Sequence, residues 1–151
     1  MFGVPELPPF LPMVLPVHLN WLYDKICQHS NYPERFGNPD NLKIWILWAV
    51  RNHFAAMNDP PTYGIIARPV SWNLYDTTPK GEELWAFDHN GDALWMDFLW
   101  APGQWNVVRE FLKISGKRWG GWEHRTTGKT HIADIHKLIK YKDAAPNTVP
   151  E

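Results

Sequence analysis

Two helical apolar periods, then short β-type segments, then a strand–helix–strand succession predict an α+β fold. The expected architecture is a single domain built on a mixed, mostly antiparallel sheet flanked by helices. Three observations carry it: apolar residues at helical spacing over 17–28 and beyond 40, an Asn-Gly pair between two apolar runs, and a helical stripe between segments of strand character over 93–124. At 151 residues the chain is long enough to bury a core of its own.

The elements follow in order. Residues 1–16 are a proline-rich arm with Pro5, Pro8, Pro9, Pro12 and Pro16. Val17 to Gln28 reads as a helix, with Leu19, Leu22 and Ile26 one turn apart. A polar loop with Pro33, Gly37 and Pro39 leads to a second helix, capped by Asp40 or Asn41. Its Ile44, Trp45, Leu47 and Trp48 are apolar on every side, which places it in the core. Phe54 to Met57 either extends that helix or starts a strand turning at Asn58-Asp59-Pro60-Pro61. Tyr63 to Trp72 is a strand in which Pro69 requires an edge or a bulge. A loop over Thr77 to Gly81 separates it from two strands, Leu84 to Asp88 and Ala93 to Trp100. The turn His89-Asn90-Gly91-Asp92 would join these as a hairpin. Gln104 to Ile114 is a helix with Val108, Phe111 and Leu112 in its stripe, widened by Trp105 and Val107 and closed by Ser115-Gly116. Arg118 to His124 is a strand, and its Gly120-Gly121 implies a bulge or a close approach. Residues 93–124 would therefore make a parallel crossover. Thr126 to Thr130 turns the chain, Ile132 to Ile139 fits helix and strand equally, and 143–151 form a flexible tail. The body of the domain spans 17–142.

Composition narrows the function classes. No apolar run reaches membrane-spanning length, and the N-terminus lacks the basic and apolar regions of a signal peptide. A single cysteine, Cys27, forms no internal disulfide and suits a reducing cytoplasmic setting. Ten tryptophans suit cores and interfaces alike. The formal net charge is −1, but residues 1–108 hold six Lys/Arg against eleven Asp/Glu, and residues 109–142 hold nine against three. A basic C-terminal third favours an acidic partner, or is a solvated face.

The most informative position is Asp97, inside Leu94-Trp95-Met96-Asp97-Phe98-Leu99-Trp100. A carboxylate buried among large apolar residues is costly unless hydrogen-bonded or paired. A histidine, a basic side chain or a bound amine would compensate it. Other chemistries lack their patterns. Gly128-Lys129-Thr130 lacks the leading glycine of a P-loop. His124, His131 and His136 with Asp134 lack metal-ligand spacing. Ser30, Ser71 and Ser115 lack a nucleophile elbow. His18 remains, at the start of the first helix, where a carboxylate could set its tautomer and stabilise its charged form.

Several segments in order resemble the bacterial toxin-activating lysine acyltransferases. These are Pro16-Val17-His18-Leu19-Asn20-Trp21, Val70-Ser71-Trp72-Asn73-Leu74, Gly91-Asp92 with Leu94 through Gly103, and Lys129-Thr130-His131-Ile132. The resemblance covers residues 16–136. It implies a fold similar to the GCN5-related N-acetyltransferases and transfer of an acyl group from acyl carrier protein to lysine amines. It also implies His18 and Asp97 as catalytic residues and Gly103, Gln104 and Trp105 as the acyl-donor turn. His18 would take the proton of the attacking amine, or carry the acyl group itself. No cofactor is held tightly; the acyl donor, carrier-bound or as acyl-CoA, is a cosubstrate. The turn Ala101-Pro102-Gly103-Gln104-Trp105 lacks the second glycine of coenzyme A-binding turns, which favours an acidic carrier protein. The alternative is a non-catalytic phage structural or internal virion protein of the same fold, partnered by other virion proteins. Nucleic-acid binding through 109–142, with Trp119 and Trp122 stacking on bases, is a lesser third.

Overall fold

The computed structural model describes residues 16–71, 84–123 and 129–140. The proline-rich arm before Pro16, the loop at 77–81, His124, the turn at 126–128 and the tail lie outside the described residues. The described chain has the predicted α+β composition. Helices α1 (Pro16–His29), α2 (Tyr32–Phe36) and α3 (Pro39–Arg51) precede strands β1 (Ala55–Met57), β2 (Gly64–Val70) and β3 (Ala93–Trp100). Helix α4 (Trp105–Ser115), strands β4 (Trp119–Glu123) and β5 (Thr130–Asp134), and helix α5 (Ile135–Leu138) follow. The five strands form one sheet in the order β1-β2-β3-β4-β5. β1/β2 and β4/β5 are antiparallel, whereas β3/β4 is parallel with Ala93 opposite Trp119 and Trp95 opposite Gly121. The parallel pair joined through α4 is the crossover expected over 93–124. By their contacts the described residues gather into two compact units, 16–66 with 98–101, and 67–97 with 102–140.

In the first unit, α1 buries Leu22 and Ile26, two members of its expected stripe. α2 was not anticipated: the polar loop contains a short helix with a proline in its first turn and Gly37 left-handed at φ 68° past its end. α3 begins earlier than predicted. Its cap is Asn38, whose side chain accepts from the Asp40 N–H at 2.7 Å, because Pro39 is pre-set for the first helical position. Nor is α3 buried all round. Leu42, Trp45, Ile46 and Ala49 form a buried stripe, while Ile44 is 58% exposed. Tyr32 and Phe36 pack on Trp45 with ring centroids 5.1 and 5.6 Å apart. Of the two readings of Phe54 to Met57, the strand holds. Gly64 opens β2 where a Cβ would lie 3.0 Å from both Trp21 Cζ3 and Leu22 Cδ1, so glycine lets α1 approach.

In the second unit, α4 buries Trp105, Val107, Val108, Phe111 and Leu112, the stripe read from the sequence. Gly116 terminates it at φ 68°. The predicted hairpin is corrected: residues 86–88 are not strand. The Asp88 N–H donates to the Pro69 carbonyl at 2.8 Å, and the Ala86 carbonyl accepts from Arg68, so the segment serves a side chain rather than a ladder. The turn itself stands, with the Gly91 N–H donating to the Asp88 carbonyl at 2.9 Å. A Cβ on Gly91 would collide with the Val70 carbonyl. Lys117 then closes the turn by donating to the His89 and Gly91 carbonyls at 2.8 and 2.6 Å. Both readings of 132–139 come true in succession, since β5 ends at Asp134 and α5 begins at Ile135. The close approach expected at Gly120 is made by Ile135, whose Cγ1 lies 3.3 Å from where a Cβ would stand.

Among the described residues, no helix is long and apolar enough to cross a membrane.

Candidate functional site

Asp97 is buried, as its surroundings predict, and its partner is a basic side chain. β3 alternates faces, which puts Asp97 on the same face as Ala93 and Trp95. Those two residues cluster with Val70, and Trp119 packs against them. Arg68 lies two positions before Val70 on β2 and shares that residue's face. Its Nε donates to Asp97 Oδ2 at 2.7 Å and its Nη2 to Oδ1 at 2.9 Å. This is the two-pronged guanidinium–carboxylate geometry that makes such pairs strong. Arg68 Nη1 also donates to the Ala86 carbonyl at 2.7 Å. Both side chains are 0% exposed. The pair thus neutralises two charges that would be costly singly, and it holds the irregular 84–88 segment to the strand.

His18 is 3% exposed. Its place in the first turn of α1 sets its ring against the loop that joins β1 to β2, and its Nε2 lies 3.1 Å from Asp59 Oδ1. That loop is fastened by Asn58, whose side chain donates to Thr62 Oγ1 at 2.8 Å and accepts from the Thr62 N–H at 2.7 Å. The Asp59 side chain is 59% exposed, so the pair runs from the interior to the surface. With Nε2–H donating to the carboxylate, the lone pair of the neutral ring is on Nδ1.

Of the residues expected at an acyl-donor turn, Gly103 is left-handed at φ 69° and exposed. The Gln104 carbonyl accepts from the Val107 N–H at 3.0 Å and so starts α4. Trp105 is 4% exposed and belongs to the core.

Three titrating groups among the described residues are displaced. The Tyr23 phenol is raised, chiefly by its hydrogen bond with Cys27 and then by desolvation. Burial raises the Tyr63 phenol to about 12. At Asp134, desolvation opposes ionisation, but the bonds from Arg118 and from the His136 N–H outweigh it and hold the carboxyl below its ordinary range. Among the described residues no group of three or more His, Cys, Asp or Glu is placed to hold a metal.

Sequence reasoning passed over Arg68 and Asp59. Arg68 carried a signal: it is the one charge in Ile65-Ile66-Ala67-Arg68-Pro69-Val70, as Asp97 is in its own run. Two lone charges of opposite sign in two apolar strands are natural partners. Asp59 stands in a turn where aspartate is commonplace and carried none. Comparison with protein-family models, with curated proteins and with solved structures finds no match.

Proposed function

We propose that the protein is an N-acyltransferase acting on amines, in which His18 is the general base and Asp59 the carboxylate that orients it. The observation that carries this reading is the 3.1 Å contact from His18 Nε2 to Asp59, with the imidazole almost wholly withdrawn from water. A carboxylate on Nε2 selects the tautomer with a basic Nδ1 and stabilises the imidazolium formed during transfer. In the reaction, the acceptor's ammonium first gives one proton to solvent. The neutral amine then attacks the thioester carbonyl carbon, His18 takes the second proton from the nitrogen as the C–N bond forms and the C–S bond breaks, and the imidazolium passes that proton to the departing thiolate. The resemblance of Pro16 through Trp21 to the toxin-activating acyltransferases supports a lysine acceptor. The excess of positive charge over 109–142 supports an acidic acyl carrier protein as donor, in the cytoplasm. Asp97 has a supporting role in this reading, because both of its carboxylate oxygens already accept from Arg68.

The test is acyl transfer from an acyl-carrier thioester, or from acyl-CoA, to a lysine-bearing protein, followed by intact mass. His18→Ala should lower the rate by roughly 10²- to 10⁴-fold, the usual worth of a general base, and Asp59→Asn should lower it by less. Full activity in His18→Ala refutes the assignment. Loss in a folded Asp97→Asn with none in Asp59→Asn would return the carboxylate role to Asp97.

The same engagement of Asp97 favours a second reading, a non-catalytic phage structural or internal virion protein in which the ion pair serves only the fold. Stable stoichiometric isolation with a particle, and no transfer from any thioester, would establish it.

A further inference from the structure

A cleft of about 390 Å³ is lined by Arg109 and Lys113 of α4 and by Ile139 and Lys140 just beyond α5. Three of its four walls are cationic. Lys113 is half exposed, and its Nζ is 3.4 Å from Glu110 Oε1, a long contact that leaves the ammonium able to turn. Arg109 is the unusual member. Its Nε is shielded from water and has no hydrogen-bond partner among the described residues. A buried donor on a charged group is expensive to leave unmatched, so an anion seated against this guanidinium would offset a cost that the fold carries.

We propose that the cleft binds the phosphate group of a small phosphate ester. A guanidinium and two ammonium groups suit an oxyanion of charge −2, and the planar fork of arginine matches phosphate oxygens better than a point charge does. The volume is that of a small-molecule pocket, larger than phosphate alone needs, and Ile139 supplies an apolar wall for the organic part. The site rests on the cleft alone and is independent of His18.

The test is calorimetric titration of the full chain with inorganic phosphate, pyrophosphate, adenosine monophosphate and ribose 5-phosphate, with thermal unfolding alongside. At least one phosphate compound should bind saturably at one site and raise the unfolding temperature, with affinity falling as salt is added. Tighter binding of the adenosine compound than of the sugar phosphate would identify a nucleotide, and the reverse a non-nucleotide ester; either supports the site. Arg109→Met should weaken binding about tenfold or more, the worth of one charge-assisted hydrogen bond. Should that variant unfold, Lys140→Glu changes an exposed residue and should weaken binding at least as much. His18→Ala should bind unchanged. Absence of binding by all four compounds at millimolar concentration overturns the proposal, as does binding that is indifferent to both Arg109→Met and Lys140→Glu.

Discussion

Removal of the Asp97 carboxylate should destabilise the protein far more than loss of an ordinary surface charge. In Asp97→Ala, Arg68 loses two charge-assisted bonds, of 2.7 and 2.9 Å, and its guanidinium stays buried, donating to the Ala86 carbonyl but without its carboxylate. Breaking a fully buried pair from one side costs about 3–5 kcal/mol. For a chain of this length each kcal/mol moves the unfolding midpoint by about 2–4 °C, so a fall of roughly 6–20 °C is expected. Asp97→Asn should fall nearly as far, since its amide keeps the shape but not the charge. The double variant Arg68→Met with Asp97→Leu removes both charges and fills similar space, which is often neutral or stabilising. Here one penalty remains, because the Ala86 carbonyl loses its donor, worth about 1–3 kcal/mol. The double variant should therefore recover most of the loss but stay slightly below the parent. Urea and thermal unfolding followed by circular dichroism, with the single variants Arg68→Met and Asp97→Leu added, give the four corners of the cycle. An Asp97→Ala midpoint within about 2 °C of the parent, or a double variant no better than the single, would refute the account.

Three further outcomes follow from the fold. Asn38→Ala removes the side chain that accepts from the Asp40 N–H and should cost about 1 kcal/mol in urea unfolding; no loss would mean that Pro39 alone starts α3. Gly91→Ala drives a methyl into the Val70 carbonyl and Ser71 nitrogen. Because the obstacle is backbone, about 1–3 kcal/mol should be lost, and an unchanged midpoint would show that the turn moves freely. Tyr63 ionises near 12 in the fold against an ordinary value of 10.0. Its contribution is intact below pH 10, and between those values the unfolded chain has released a proton that the folded chain keeps. Stability should therefore fall as pH rises through that window. Tyr63→Phe should flatten this part of the pH profile, and an equal slope in both proteins would exclude Tyr63 as its source.

What could be read from the sequence was mostly what neighbouring residues settle among themselves. The α4 stripe was complete, because burial of Val108, Phe111 and Leu112 repeats at the helical period. Its end was marked by Gly116, and the Asn90-Gly91 turn was placed correctly. The crossover followed from element order alone. The failures have local causes too. α2 was hidden by Pro33 and Gly37, which read as loop residues but start and stop a single short helix. Ile44 was assigned to the core because Ile44, Trp45, Leu47 and Trp48 together make the helix apolar on every side, whereas the buried stripe passes through Leu42, Trp45, Ile46 and Ala49.

The candidate site sets a different limit. An apolar run around Asp97 states that a carboxylate must be compensated, and thus fixes a free-energy requirement without naming the group that meets it. That group lies 29 positions away in the chain, and the carboxylate that meets His18 lies 41 away. Over such separations pairing depends on strand order and on which face each strand turns inward. A shift of one residue in either strand would reverse the face. Arg68 could have been nominated, since a second lone charge of opposite sign in an apolar strand answers the same requirement. Asp59 could not, because an exposed aspartate in a proline turn has no unmet cost of its own. It gains its role only when the fold brings a buried imidazole to it. The buried Asp97 is therefore the position a sequence announces most loudly, whereas the chemistry proposed here rests on the acid that the sequence leaves unmarked.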